Sequence, residues 1–263
     1  MNLSRRGRGW TPILLEVAES VRQRTRQTLL NRPALETQAM KGLLDSEAQQ
    51  AIFDALNRAG IPVQVVSEEG DYSIGEGGPY MVVDPVDGTT NLAKGIPLAV
   101  TSLAVSDTPN LSGALAGVVM DLFTGEVFRA ERNRGAWRGG RRISPAKPVP
   151  VETALISIDV SKGAPLEPVS GLIKEARHLR QLGCSALSLC YVASGVIDAH
   201  VDLRGILRTT DVAAGLVILK EAGGIFGVDG TIGGDLKLSR ETKLRLVASS
   251  SPGTLDGVLR LLG

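Results

Sequence analysis

Asp84-Pro85-Val86-Asp87-Gly88-Thr89-Thr90-Asn91 follows directly on the apolar run Tyr80-Met81-Val82-Val83. A short apolar run bounded by turn signals reads as a buried strand, so two acids stand where that strand ends. Pro85 fixes its own φ and removes a donor N–H, and it biases Asp84 toward an extended backbone. Gly88 permits close backbone approach. Thr89 opens a new helix, whose first N–H groups lack partners within the helix. Carboxylates suit hard cations, and free N–H groups at a helix start suit phosphate. The stretch points to a metal-dependent enzyme acting on a phosphate ester. Asp-Pro and Asp-Gly are also ordinary turn dipeptides, and the spacing is not that of an EF-hand, which alternates oxygen ligands and closes on a Glu. Company elsewhere in the chain has to decide.

Working outward, Val63 to Val66 reads as a second strand that ends at Ser67-Glu68-Glu69-Gly70. A Glu pair after a strand is an ordinary solvated turn. Two neighbouring strands ending in acids would instead place Glu68 or Glu69 beside Asp84 on one sheet rim. Asp211 opens a helix in Arg208-Thr209-Thr210-Asp211-Val212-Ala213-Ala214-Gly215, where Asp is a favoured N-cap. The small residues behind it let that helix start approach another segment closely. Asp45 and Ser46 are candidate caps of a helix over residues 45–59.

The other elements follow from periodicity. Residues 11–30 form an amphipathic helix and 71–79 a glycine-rich loop. Residues 99–105, 114–120 and 126–129 read as successive strands of an antiparallel meander. The proline-rich stretch 144–150 is the best boundary between a unit at 1–145 and one at 146–263. Beyond it come strands at 154–158 and 197–201, helices at 168–176, 186–194 and 210–221, and a closing helix. Gly223-Gly224 ends the helix at 210–221. The order suggests a layered α/β architecture.

At 263 residues the chain can bury a large core. A formal net charge of +1 argues against nucleic acid or a membrane surface as partner. The basic stretch Ser4-Arg5-Arg6-Gly7-Arg8-Gly9 is followed by no apolar signal core, and no segment reads as a membrane span. Cys184 and Cys190 are the only cysteines, too few for a disulfide scaffold or a cysteine zinc site. Both lie in apolar sequence, and a reducing, cytoplasmic setting is expected. His200, in Ile197-Asp198-Ala199-His200-Val201, reads as a structural strand residue, and His178 is the only other histidine.

Three motifs, in order, resemble the inositol monophosphatase superfamily, which also contains archaeal-type fructose-1,6-bisphosphatases and bisphosphate nucleotidases. They are Ser67-Glu68-Glu69-Gly70; Asp84 to Asn91 with Gly95-Ile96-Pro97; and Asp211-Val212-Ala213-Ala214-Gly215 with Glu221-Ala222-Gly223-Gly224. Thr210 stands where inositol monophosphatases usually carry Trp. Asp202 to Arg208 looks more like archaeal members that accept both inositol phosphate and fructose 1,6-bisphosphate. The family's lysine-plus-Asp-x-Thr segment before Asp45 is not clear.

The resemblance implies an α-β-α-β-α layered sandwich, an α/β (α+β) fold with two subdomains, and two or three Mg²⁺ ions. Glu68, Asp84 and the Val86 carbonyl would hold the first ion. Asp84, Asp87 and Asp211 would hold the second, with Glu68 and waters holding a weaker third. Five acids, Asp45 included, cannot share a small site without cations or large upward pKa shifts. Water activated by metal would attack the phosphorus directly, oriented by Thr89 backed by Asp45. The N–H groups of Gly88 and Thr89 would hold phosphate oxygens. Substrate choice would fall to Gly183, Ser185, Asp202, Arg204 and Arg180, with Arg204 offering bidentate recognition of a second phosphate. The expected substrates are inositol 1-phosphate and fructose 1,6-bisphosphate. A 3′-phosphoadenosine 5′-phosphate phosphatase and a non-catalytic phosphate-binding regulator are the alternatives, and a homodimer is implied by resemblance alone.

Overall fold

The computed structural model describes residues 9–31 and 36–263; the basic residues before Gly9 lie outside that range. Helices α1 (Trp10–Leu30) and α2 (Thr37–Ala59) come first. An eight-stranded sheet follows, from β1 (Val63–Ser67), β2 (Tyr72–Ile74), β3 (Tyr80–Asp87), β4 (Val100–Ser106), β5 (Ala114–Asp121), β6 (Val127–Glu131), β7 (Gly135–Arg138) and β8 (Arg141–Ile143). Its order is β2-β1-β3-β4-β5-β6-β7-β8. From β3 onward each strand pairs antiparallel with the next, so the expected meander is present and three strands longer, with β3 before it and β7 and β8 after it. The short helix α3 (Thr89–Lys94) interrupts it between β3 and β4.

The second sheet has six strands: β9 (Leu155–Ile158), β10 (His178–Arg180), β11 (Ala199–Arg208), β12 (Ile225–Val228), β13 (Thr231–Ile232) and β14 (Lys243–Ser249). Helices α4 (Ser170–Glu175), α5 (Ser185–Ala193), α6 (Thr209–Ala222) and α7 (Pro252–Leu259) complete the chain.

Three apolar clusters define five layers. Leu14, Val17, Leu44, Ile52 and Leu56 of α1 and α2 pack on Met81, Val83, Leu103 and Val118 of the first sheet. Val82, Val100 and Val119, on that sheet's other face, meet α5 and α6, whose far side meets Leu244, Leu246 and Ala248 of the second sheet. Ile156, Val201 and Val247 then turn outward to Leu172 of α4 and Leu255 and Val258 of α7. This is the expected α-β-α-β-α sandwich. The central strands β3 and β4 are covered on both faces, which is why they read as continuous apolar runs and not as alternations. Each fully buried Leu, Ile or Val contributes roughly 1.5–3 kcal/mol by leaving water.

Two expectations are corrected. The second helix begins at Thr37, so Asp45 and Ser46 sit within it and cap nothing. Met40 and Leu44 are both buried and continue the apolar stripe of Ala48 and Ile52 backward, and that stripe carries the helix past the polar residues. The 71–79 loop contains β2, which pairs antiparallel with β1 because Ile74 is buried opposite Val63. Among the described residues no helix is long and apolar enough to cross a membrane.

The middle layer depends on small residues. A Cβ at Gly117 of β5 would lie 3.0 Å from the Ala214 carbonyl of α6. A Cβ at Gly215 would lie 2.8 Å from the Leu189 side chain of α5. Gly215→Val is therefore expected to destabilise the fold by about 1–3 kcal/mol through overpacking, read as a lower midpoint in urea unfolding.

Candidate active site

Two irregular strands build the site. The pairing of β3 with β4 slips between Asp84 and Asp87, where Pro85 has no N–H to give. The pairing of β11 with β14 slips between Asp202 and Leu207. Bulges of this kind re-aim side chains at strand ends. β1 and β3 run parallel, with Ser67 opposite Val83, so Glu68 and Asp84 emerge side by side. The start of α6 brings Asp211 to the same place.

Glu68, Asp84 and Asp211 each present a carboxylate oxygen, and these oxygens lie within 4.8 Å of one another. Asp84 is 2% exposed, and its Oδ1 accepts the Val86 N–H at 3.1 Å. Asp211 is the third residue of α6, not its N-cap; from there it closes the capping box by accepting the Arg208 N–H at 2.9 Å, and it also accepts the Thr210 hydroxyl at 3.1 Å. The Arg208 guanidinium is paired with Glu68. Asp87 faces the cluster from the other side, and one of its oxygens accepts the Ala186 N–H at the start of α5, at 2.6 Å.

Asp45 reaches the cavity from mid-helix. Thr89 Oγ1 lies 3.0 Å from Asp45 Oδ1 and 2.9 Å from the Val86 carbonyl, and donates to them. Gly88 has φ 90°, and a Cβ there would fall 2.6 Å from the Leu98 carbonyl, so this turn needs glycine.

Electrostatics express the crowding. Burial, then repulsion from Glu68, Asp87, Asp211 and Asp45, holds the Asp84 carboxyl well above the usual carboxylate range. Burial raises Asp87 to about 8, against the opposing pull of the Ala186 N–H. Asp211 and Asp45 are each pushed to about 6, burial again being the largest cause. Glu69 is raised by burial and by Glu68. The cluster consists of oxygen donors that cannot all be ionised together unaided. That is the donor chemistry of a hard divalent cation such as Mg²⁺, which takes a few carboxylates and keeps waters.

These acids line a cavity of about 490 Å³, together with Gly88, Thr89 and Ser185. Asp202 and Arg204, expected to meet substrate, are largely occupied with each other. Asp202 is fully buried. It takes Arg204 Nε at 2.9 Å and Nη2 at 2.6 Å, while Arg204 Nη1 donates to Ser161 at 2.9 Å. The guanidinium fork expected for a second phosphate is thus closed on Asp202, and only Arg204 borders the cavity. Arg180 is exposed and bonds its neighbour's carbonyl; Gln181 lines the cavity instead. The sequence did not single out Asp159, Lys162, Lys41 or the Arg208 guanidinium. Asp159 directly follows strand β9, and an acid just past a strand was the one available signal.

The inositol monophosphatase family model matches residues 13–257. The chain belongs to the inositol monophosphatase family. A fructose-1,6-bisphosphatase/inositol-1-monophosphatase of Methanothermobacter thermautotrophicus is 34% identical over 77% of this chain and 76% of its own length. A fructose-1,6-bisphosphatase of Pyrococcus furiosus is 34% identical over 84% of this chain and 82% of its own. A Pyrococcus horikoshii protein described as similar to inositol-1 monophosphatase superposes with a TM-score of 0.81 at 28% identity, covering 97% of this chain and 98% of that one. Family membership places the whole sandwich, from α1 to α7, in one shared framework.

The raised carboxyls set a pH dependence. Their folded pKa values lie above the unfolded value of 3.8. Between the two values the folded state binds more protons than the unfolded chain. Their contribution to stability is therefore complete below about pH 4 and is lost as pH rises through the folded values. In EDTA, Tm should fall as pH rises from about 5 to about 8. Mg²⁺ should restore it most at the upper end, as differential scanning fluorimetry would record.

Proposed function

We propose that the chain is a Mg²⁺-dependent phosphatase that hydrolyses small sugar or polyol phosphate monoesters by direct attack of water. The convergence of Glu68, Asp84 and Asp211 within 4.8 Å, in a cavity that also holds the Thr89–Asp45 pair, carries this reading. Glu68, Asp84, Asp211, Asp87 and the Val86 carbonyl are the residues to hold the cations. Bound there, a divalent cation supplies water of lowered pKa and positive charge for the leaving oxygen.

The chain's own groups do the rest. Thr89 accepts a proton from the attacking water and passes its own to Asp45. A carboxyl at about 6 is a base suited to neutral pH. The water oxygen bonds to phosphorus, the ester P–O bond breaks, and the alkoxide takes a proton from solvent. Gly88 and Thr89 border the cavity at the start of α3, where N–H groups without helical partners suit phosphate oxygens. The named activities of the relatives make inositol 1-phosphate and fructose 1,6-bisphosphate the first substrates to try. The cavity lining holds no Phe, Tyr or Trp, which disfavours an adenine-bearing bisphosphate.

Asp84→Asn is expected to remove Mg²⁺-dependent phosphate release, and Asp211→Asn to do so with an unchanged urea midpoint. Thr89→Ala should lower kcat by about 100-fold or more while KM changes little, since Thr89 acts on water and not on bound substrate. Steady-state phosphate release against ester concentration separates these outcomes. A Thr89→Ala variant with parental kcat would remove Thr89 from the proton path.

A further inference from the structure

Arg208 ends β11, and its guanidinium sits on Glu68, with Nη1 donating to Oε1. Backbone contacts fix both ends of this pair. The Arg208 N–H donates to Asp211 at 2.9 Å, and the next residue, Thr209, donates its hydroxyl to the Ser239 carbonyl at 2.7 Å. The Glu68 N–H donates to the Val83 carbonyl at 3.3 Å. Arg208 does not border the cavity, so its guanidinium is placed to act on Glu68 and not on a bound ester. Its side chain is 36% exposed and that of Glu68 34%. A pair this open to water adds little to stability. Its consequence is local: it decides what Glu68 can offer.

Glu68 is one of the three acids whose oxygens converge within 4.8 Å. A carboxylate closes on an ion with one oxygen or with both. Closing with both needs both free, and the guanidinium holds Oε1 in a charge-assisted bond. Glu68 then has one oxygen to give. The other two acids are restricted in the same way. Asp211 Oδ2 takes the Arg208 N–H and its Oδ1 the Thr210 hydroxyl, and Asp84 Oδ1 takes the Val86 N–H. Divalent ions differ in what they ask of such a set. Mg²⁺ is small, takes single oxygens in octahedral geometry and keeps waters, whereas Ca²⁺ takes about six to eight oxygens and readily accepts both from one carboxylate. The guanidinium charge also reaches Asp211 and Glu69, which limits the positive charge the cluster can take up.

We infer that Arg208 sets the cation selectivity of the site: by holding one oxygen of Glu68 it denies a larger ion a two-oxygen grip and leaves a donor set that suits Mg²⁺ better than Ca²⁺. Arg208 is a positioning residue, acting through Glu68 without touching substrate. Groups that hold a metal-binding side chain from outside tune affinity in this way. The inference rests on the metal-dependent reading of the site and says which ion that site admits.

The test is calorimetric titration of Mg²⁺ and of Ca²⁺ into EDTA-treated and then desalted protein, with no ester present. Arg208→Met removes the charge and the donor and keeps an unbranched side chain. Both ions should bind it more tightly than they bind the parent, since a like charge is gone, and Ca²⁺ should gain about ten-fold more than Mg²⁺. Arg208→Gln, a neutral side chain that can still donate to Oε1, should shift the ratio in the same direction and by less. Arg208→Lys, which keeps the charge beside Glu68, should stay near the parental ratio. A urea midpoint for each variant shows that it is folded, and the Gln variant carries the test if the Met variant is not. Equal gains for the two ions in the Met and Gln variants, or a ratio that neither changes, overturn the inference and leave the metal-dependent reading standing. A parent that binds neither ion overturns that reading, and the inference with it.

Discussion

Mutual repulsion among buried acids is the constraint around which this molecule is arranged. Asp45, Glu68, Asp84, Asp87 and Asp211 come from α2, the end of β1, both sides of the β3 bulge and the start of α6. All border one cavity, and four of them have raised pKa values with burial as the largest cause. The chain relieves part of the strain itself. Arg208 pairs with Glu68, the Ala186 N–H bonds Asp87, and Thr89 bonds Asp45. These contacts leave Asp84 with a single backbone N–H. Protonation or a cation must supply the remainder, and a cation lets all of them be ionised together at neutral pH.

The layers exist to hold these acids in register. The parallel pairing of β1 and β3 sets Glu68 beside Asp84. Pro85 breaks the ladder to β4 and turns Asp87 toward α5. The small face of α6 lets that helix sit against β5 at Gly117 and against α5 at Gly215, which fixes the depth at which Asp211 arrives. A core residue such as Gly215 therefore governs site geometry without touching it. The same middle layer connects the two sides of the cavity: the first sheet supplies most of the acids, and the second supplies Asp159 and Arg204.

Much of this was legible in the residues, and the failures have physical causes. Asp84 to Asn91 could be read because a buried strand, a proline, a glycine and a helix start each leave a local signature. Asp211 could be read because its small-residue helix is unusual, although an Asp at a helix start has the same local signature as a cap, and Asp211 does close the capping box of α6. Asp45 was mistaken for a cap because Asp and Ser favour helix starts, whereas burial of Met40 and Leu44 extends the helix past them. Strand β2 was hidden in glycine-rich sequence because its partner, Val63 of β1, lies outside that stretch. Arg204 looked like a free phosphate ligand because its closure on Asp202 depends on the β11 bulge. Asp159 had only a weak local signature: one acid just past a strand means little until the fold sets it near Asp87 and Arg204.

The central claim is that cations take the place of protons on these acids. Calorimetric titration of Mg²⁺ into the EDTA-treated protein, at about pH 7 in buffers of differing ionisation enthalpy, tests it most directly. Asp87, at about 8, holds a proton at that pH in the cation-free protein, and burial with four neighbouring acids raises Asp84 as well. The account predicts saturable binding of Mg²⁺ with release of roughly one proton or more per chain, diminishing as pH rises. Absence of binding, or binding whose heat is the same in every buffer, would contradict it.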